Sequence, residues 1–273
     1  MQNYYLNIIS IVLYLSATTI LAWRLFHDPN ERGAKLRHLR WMLLGVVLAA
    51  LSIHGAALYS AMFTGQGLNM GVFNALSLIT WIAVFTTTLA AFLNPVENLG
   101  IILLPLAALA ILLETLIPVE HTILPKELGD LKVHILLSLT AYSLLFIAAL
   151  HALLLAAQDK HLRTRRPGGF VSALPPLQTM ETLLFQMIAL GFFLHSLSMV
   201  TGLIHVQDML KQRIAHHTVL SIIAWFIFAV LLWGRWRFGW RGNTAVRWTL
   251  GGFIALLLAY IGSKWVLEII LAK

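Results

Sequence analysis

Residues 133–158 read VHILLSLTAYSLLFIAALHALLLAAQ. This stretch contains no Asp, Glu, Lys or Arg, and it exceeds the roughly 20 apolar residues that a helix needs to cross a membrane core of about 30 Å. Similar apolar blocks fill much of the chain, which is 59% hydrophobic, only 11% charged and has a mean hydropathy of +0.83. Soluble domains carry about 25% charged residues. The sequence therefore predicts an all-α polytopic membrane protein.

About eight transmembrane helices are predicted, in a single integral membrane domain that covers residues 1–273. The first has no basic residue before it and no clear cleavage site, so it is expected to be a retained helix and not a signal peptide. Proline and glycine residues in 159–176 break helices and separate two helical halves. The predicted spans are 4–23, 41–63, 72–93, 99–117, 133–158, 177–204, 216–233 and 249–271.

The basic residues predict the orientation. Thirteen lysine and arginine residues follow spans one, five and seven, whereas five lie on the opposite side. Because Lys and Arg accumulate in cytoplasmic loops, both termini are expected on the periplasmic side of a bacterial inner membrane. The same rule accounts for a pI of about 10.0. Membrane lipid is therefore an expected partner, and nucleic acid is not.

Several classes of chemistry are excluded by what the sequence lacks. The chain has no cysteine, so it forms no disulfide, no thiolate metal site and no covalent c-type haem attachment of its own. It also has no nucleophile elbow, phosphate-binding glycine loop or pair of carboxylates suited to catalysis. We therefore expect no enzymatic activity.

Histidines concentrate on one side of the predicted membrane. Counting 1.5 Å per residue places His54 roughly 20 Å, and His195 roughly 27 Å, from the inner side. A single membrane histidine is usually a packing residue, but two imidazoles on different helices can hold one haem iron. Quinone binding or proton relay could use the same side chains. The outer group is His54, His134, His195, His205, His216 and His217.

Three stretches resemble the cytochrome c assembly membrane proteins, the CcsA/CcmC/HemX-like family, and are closest to its short, eight-helix YpjD-like branch. Residues 132–157 resemble the family's "H-x-x-L-S-x-x-A-Y" helix. Residues 174–203 resemble the following helix, with "LPPL…E…L…GF…TG". Residues 218–264 resemble its last two helices, through "LS-x-x-AW", "GWRG" and "GF…L-x-Y-x-GSK".

The resemblance covers about residues 40–270 and implies a haem-binding or haem-handling role in cytochrome c biogenesis. By position, it implies that His54 and His134 are ligands of haem iron, with His195, His216 and His217 as weaker candidates. It also implies haem as cofactor, and haem and other cytochrome c maturation or membrane proteins as partners.

One family feature is missing. Full members carry a tryptophan-rich "W-G-x-x-W-x-W-D" segment on the outer face, where this chain reads IHVQDMLKQRIAHHT at 204–218. The similar WGRWRFGW at 233–240 falls on the predicted inner side. Full haem delivery is therefore not expected. Two alternative functions are a small transporter or transporter accessory subunit, and a non-catalytic membrane scaffold.

Overall fold

The computed structural model describes residues 2–26, 34–65, 67–93, 96–119, 122–123, 125–163, 176–204 and 215–262. Most of these residues are helical, and seven of the helices are long and apolar enough to cross a membrane. The prediction of an all-α polytopic membrane protein is therefore confirmed. The candidate spans are Tyr4–Arg24, His38–Met62, Val72–Phe92, Glu97–Leu116, Lys132–Arg163, Leu177–Leu203 and Thr218–Phe238.

Seven of the eight predicted spans match these helices. The eighth, at 249–271, begins inside a helix that starts at Asn243, but residues 263–273 lie outside the described part of the chain. An eighth crossing and the periplasmic position of both termini stay predictions. The described residues divide into two compact units, one ending at Thr122 and the other comprising Ile123–Arg163 and the residues from Pro176 onward. The single domain over 1–273 also stays a prediction.

The first unit contains four helices: α1 (Gln2–Phe26), α2 (Ala34–Met62), α3 (Val72–Leu93) and α4 (Gly100–Leu116). Helix α1 packs against α2 and α4, and α3 packs against α2 and α4. Fully buried alanines, including Ala17, Ala50 and Ala83, allow these helices to approach closely. Close packing of small residues replaces the hydrophobic driving force that lipid does not supply.

Short elements connect the helices of this unit. Strands β1 (Phe63–Thr64) and β2 (Gly67–Asn69) pair antiparallel, and a 3₁₀ turn (Glu97–Leu99) precedes α4. Glu97 Oε1 lies 3.2 Å from Arg24 Nη1 and 3.3 Å from Arg40 Nε. This buried carboxylate therefore joins the end of α1 and the start of α2 to the start of α4. A third strand, β3 (Thr122–Ile123), follows in the chain.

The second unit contains α5 (Pro125–Arg163), α6 (Leu177–Ile204), α7 (Ala215–Phe238) and α8 (Asn243–Leu257), which continues as a π-helical turn (Leu258–Gly262). Helix α5 packs against α6 and α8, and α7 packs against α6 and α8. A Cβ at Gly191 would lie 2.8 Å from Leu145 Cγ, so α5 and α6 pack closely there because the glycine has no side chain.

Candidate histidine site

His134 lies in the second unit on α5, facing α6. Its Nδ1 is 2.9 Å from the backbone oxygen of Ser198. A carbonyl only accepts hydrogen bonds, so Nδ1–H is the donor and Nε2 carries the lone pair of the neutral ring. The hydroxyl oxygen of Ser138 lies 3.4 Å from His134 Nε2. A backbone carbonyl that fixes the tautomer in this way is the usual support of a histidine ligand.

Gly202 on α6 gives the His134 ring its space. A Cβ at Gly202 would lie 3.0 Å from His134 Cε1 and 3.2 Å from Nδ1. Any larger residue would therefore have to displace the imidazole. One turn of α6 thus supplies both the Ser198 carbonyl that orients the His134 ring and the Gly202 backbone on which the ring packs.

His195, one turn earlier on α6, is 2% exposed. Its Nε2 lies 3.3 Å from the backbone oxygen of Ser221 on α7, so Nε2–H is the donor. Among the described residues, His195 Nδ1 has no hydrogen-bond partner. His151 Nδ1 is likewise without a partner among the described residues, so an unpartnered nitrogen can accept a further group only where the ring also lines a cavity.

A cavity of about 80 Å³ lies among α5, α6 and α7 and brings these two histidines together. At about 30 Å³ per molecule it has room for two or three waters. Its polar lining comes from three helices and consists of His134, Ser138, Tyr142, His195, Ser198, Thr218 and Ser221. The hydroxyl groups were not among the residues predicted from the sequence. The four-residue spacing of His134, Ser138 and Tyr142 on one helix face was the available signal.

His54 lies in the first unit and is 0% exposed. Its Nδ1 is 3.2 Å from Tyr14 Oη, and its Nε2 is 2.9 Å from Ser77 Oγ. Ser77 also hydrogen-bonds the carboxyl group of Glu114. Both ring nitrogens therefore have side-chain partners, and iron ligation by His54 would break one of these bonds. The predicted pairing of His54 with His134 stays a prediction, because the two residues belong to different units.

The remaining sequence candidates contribute less. His216 and His217 lie in the first turn of α7, but their side chains are outside the described residues, as is all of His205. His151, on the same helix as His134, is 1% exposed, and its Nε2 lies 2.9 Å from the backbone oxygen of Met180. Within the described part of the chain, no group of three or more His, Asp or Glu side chains is placed to hold a bare metal ion.

The tryptophan-rich segment lies at the other end of α7 from the cavity. Trp236 is 83% exposed, and the Trp240 ring packs on Gly234 and beside Trp248, with ring centroids 5.5 Å apart. Ser221, which lines the cavity, precedes Trp236 by 15 residues and therefore lies roughly 22 Å from it along the helix. Residues 233–240 are therefore separate from the histidine cavity, as the sequence predicts.

Fold and site together define a polytopic α-helical membrane protein with a histidine-lined cavity among three helices. This chain belongs to the cytochrome c assembly protein family, whose model matches residues 41–271. The match agrees closely with the region 40–270 inferred from the sequence motifs. Membership in this family makes it a cytochrome c biogenesis-type protein.

Individual relatives agree with this membership. The inner membrane protein YpjD of Escherichia coli (strain K12) is 33% identical over 238 residues, 84% of this chain and 89% of that protein. Protein HemX of Brevibacillus brevis is 26% identical over 272 residues, 93% of this chain and 94% of that protein. The cytochrome c biogenesis protein CcsA of Gloeobacter violaceus is 26% identical over 93 residues, 33% of this chain and 28% of that protein. No solved structure matches the chain. The protein is a multi-pass protein of the bacterial inner membrane.

Proposed function

We propose that this protein binds haem in its second unit, with His134 as an iron ligand and His195 as the second. The main support for this proposal is that both histidines line one cavity and that each donates one N–H to a backbone carbonyl. His134 Nε2 contacts the Ser138 hydroxyl at 3.4 Å, and His195 Nδ1 has no hydrogen-bond partner among the described residues. Neutral imidazoles oriented by backbone carbonyls would be suitable ligands for haem iron.

The donor chemistry fits haem, whereas the present volume does not. About 80 Å³ holds a few waters, far less than a porphyrin occupies. Haem binding therefore requires α6 and α7 to separate around the cavity. Leu203 and Ile222 would supply apolar contacts to the ring, and the hydroxyls of Ser138 and Ser198 would hydrogen-bond its polar edge.

The family supports the proposal from a second direction. One relative is named as a cytochrome c biogenesis protein. Bound haem would supply the chemistry of a reducible iron, and the chain itself would orient the two imidazoles and exclude water. Other proteins of cytochrome c maturation are then the expected partners. We propose no catalytic activity for this chain, because it lacks the family's tryptophan-rich haem-delivery segment; if haem delivery occurs, the covalent attachment would use cysteines of the partner cytochrome.

Haem titration of the purified protein, followed by its Soret absorbance, tests the proposal. We expect His134→Ala and His195→Ala each to weaken or abolish the band. His151→Ala is the matched control, since His151 is a buried histidine on α5 that also donates to a backbone carbonyl but does not line this cavity. It should leave the band intact.

Two outcomes would change this assignment. If His54→Ala removes the band as completely as His134→Ala while the protein stays folded, the ligands are the pair implied by the family resemblance. If wild-type protein loaded with haem shows no Soret band, haem binding is wrong, and the transporter and scaffold alternatives take its place.

A further inference from the structure

A second and larger cavity lies at the opposite end of α5 from His134. Its volume is about 260 Å³, and its walls come from α5, α6 and α8 of the second unit. Lys160, which lines it, is 26 residues beyond His134 and therefore about 39 Å away along α5. The proposed haem site makes no use of this cavity.

Positive groups surround one side of the cavity. Lys160 and Arg163 contribute two cations from the last turn of α5. Asp159 Oδ2 lies 3.0 Å from Arg163 Nε in an ion pair and offsets one of these charges. The guanidinium of an arginine has five N–H donors, so this ion pair leaves others for a second anion.

The beginning of α8 adds backbone donors to the cavity lining. Gly242 and Asn243 line the cavity, and the N-cap Gly242 provides no side chain to cap the helix. The first intrahelical bond of α8 runs from Val246 N to Gly242 O at 3.1 Å. The N–H groups of residues 243–245 therefore have no partner within the helix, whereas the Gly242 N–H donates to Glu181 Oε1 at 2.8 Å, and this carboxylate offsets part of the positive end of the helix dipole.

Part of the cavity wall is apolar, and the depth is that of lipid headgroups. Leu155, Leu177 and Val246 form this apolar wall. The span Lys132–Arg163 ends at this cavity, and the span Leu177–Leu203 begins at it. The cavity therefore lies where the membrane core meets water. Exposed tryptophans near the end of α7, such as Trp236, are typical of this boundary.

We propose that this cavity binds the phosphate group of an anionic phospholipid. Lys160, Arg163 and the first turn of α8 contact the phosphate, and the acyl chains follow the apolar wall into the membrane. Basic pockets between transmembrane helices recognise anionic headgroups in this way. A free phosphate ion would use the same cations but would gain nothing from the apolar wall.

Native mass spectrometry of the detergent-purified chain tests the proposal, with phosphatidylglycerol, phosphatidylcholine and inorganic phosphate as separate probes. Phosphatidylglycerol should bind in preference to phosphatidylcholine. The double variant Lys160→Gln/Arg163→Gln should bind it about thirtyfold more weakly, from the contribution of two cations near a membrane surface. The matched control, Arg237→Gln/Arg247→Gln, removes two exposed charges at the same end of the unit that do not line the cavity. It should retain binding.

A third variant separates the cavity from general surface charge. Ala156→Phe fills part of the cavity and keeps every charge, so it should also weaken binding of phosphatidylglycerol. Thermal unfolding in detergent verifies that each variant is folded. The proposal would be overturned if both double variants lost phosphatidylglycerol binding equally or if neither lost it. It would also be overturned if the Ala156→Phe variant bound phosphatidylglycerol as well as the wild type. Inorganic phosphate that displaces the lipid completely would assign the site to the free ion instead.

Discussion

His54 in the first unit and the His134–His195 cavity in the second show two ways of placing histidine in a membrane protein. His54 has Tyr14 on one ring nitrogen and Ser77 on the other. His134 and His195 each donate one N–H to a backbone carbonyl and line a cavity. All three residues look alike in the sequence, as polar residues in apolar helices.

The difference teaches that the partners of a buried histidine, and not its depth, indicate its role. Side-chain partners on both nitrogens make His54 part of the packing of α1, α2 and α3. A carbonyl partner on one nitrogen fixes the tautomer and leaves a lone pair on the other. The first arrangement favours stability. The second favours binding where the ring also lines a cavity, as His134 and His195 do and His151 does not.

Removal of His54 should have the largest effect on stability. His54→Ala leaves the buried Tyr14 hydroxyl and Ser77 without their partner and opens a cavity. We expect a loss of about 3–5 kcal/mol in the free energy of unfolding. Reversible unfolding in mixed detergent micelles measures it. The comparison fails if His195→Ala costs as much, since His195 donates only one hydrogen bond.

Gly202→Ala should act on binding in the second unit. The added Cβ would lie 3.0 Å from His134 Cε1 and displace the ring, at a cost of about 1–3 kcal/mol as in other overpacked sites. Haem titration should show a corresponding loss of affinity. Gly251→Ala is the control, because a Cβ at this helical glycine meets nothing within 4 Å. If both variants bind haem equally well, the position of the His134 ring is irrelevant to the site.

Two serines allow a finer comparison. Ser77→Ala leaves His54 Nε2 and the Glu114 carboxyl without their shared partner, and should cost about 1–3 kcal/mol of stability. Ser198→Ala keeps the backbone oxygen that orients His134 and removes only the 2.6 Å contact between Ser198 Oγ and Ser138 Oγ. We expect a smaller loss of about 1 kcal/mol in the free energy of unfolding. The reverse order of unfolding midpoints would contradict this account.

Much of the fold was predictable from hydropathy. Long apolar blocks with charges at their ends indicate spans directly, because unpaired charges are expensive in lipid. Seven of the eight predicted positions hold a helix that is long and apolar enough to cross a membrane, and α5 extends well beyond its predicted 133–158 at both ends. Polar residues can continue a helix outside the membrane core, and hydropathy does not detect such extensions.

The site was less predictable than the fold. The family motif identified His134, and His195 was a weaker candidate because the motif does not require a histidine at its position. The sequence could not show which atoms these two residues bond. The carbonyls of Ser198 and Ser221 are backbone groups, and every residue has one. Tyr14 and Ser77 become partners of His54 only through the packing of three helices. Contacts between distant segments of the chain leave no pattern in a single sequence.

The smallest effect is expected for Trp236, the most exposed residue of the WGRWRFGW segment. At 83% exposure, it makes few contacts that its removal could disturb, so Trp236→Ala should change stability by no more than about 0.5 kcal/mol. The Soret band should also be unchanged, because α7 places this residue roughly 22 Å from Ser221 in the cavity lining. Haem titration of this variant beside His134→Ala provides the measurement. A loss of haem in Trp236→Ala would move the site to the other end of α7, and the role assigned to His134 and His195 would then be wrong.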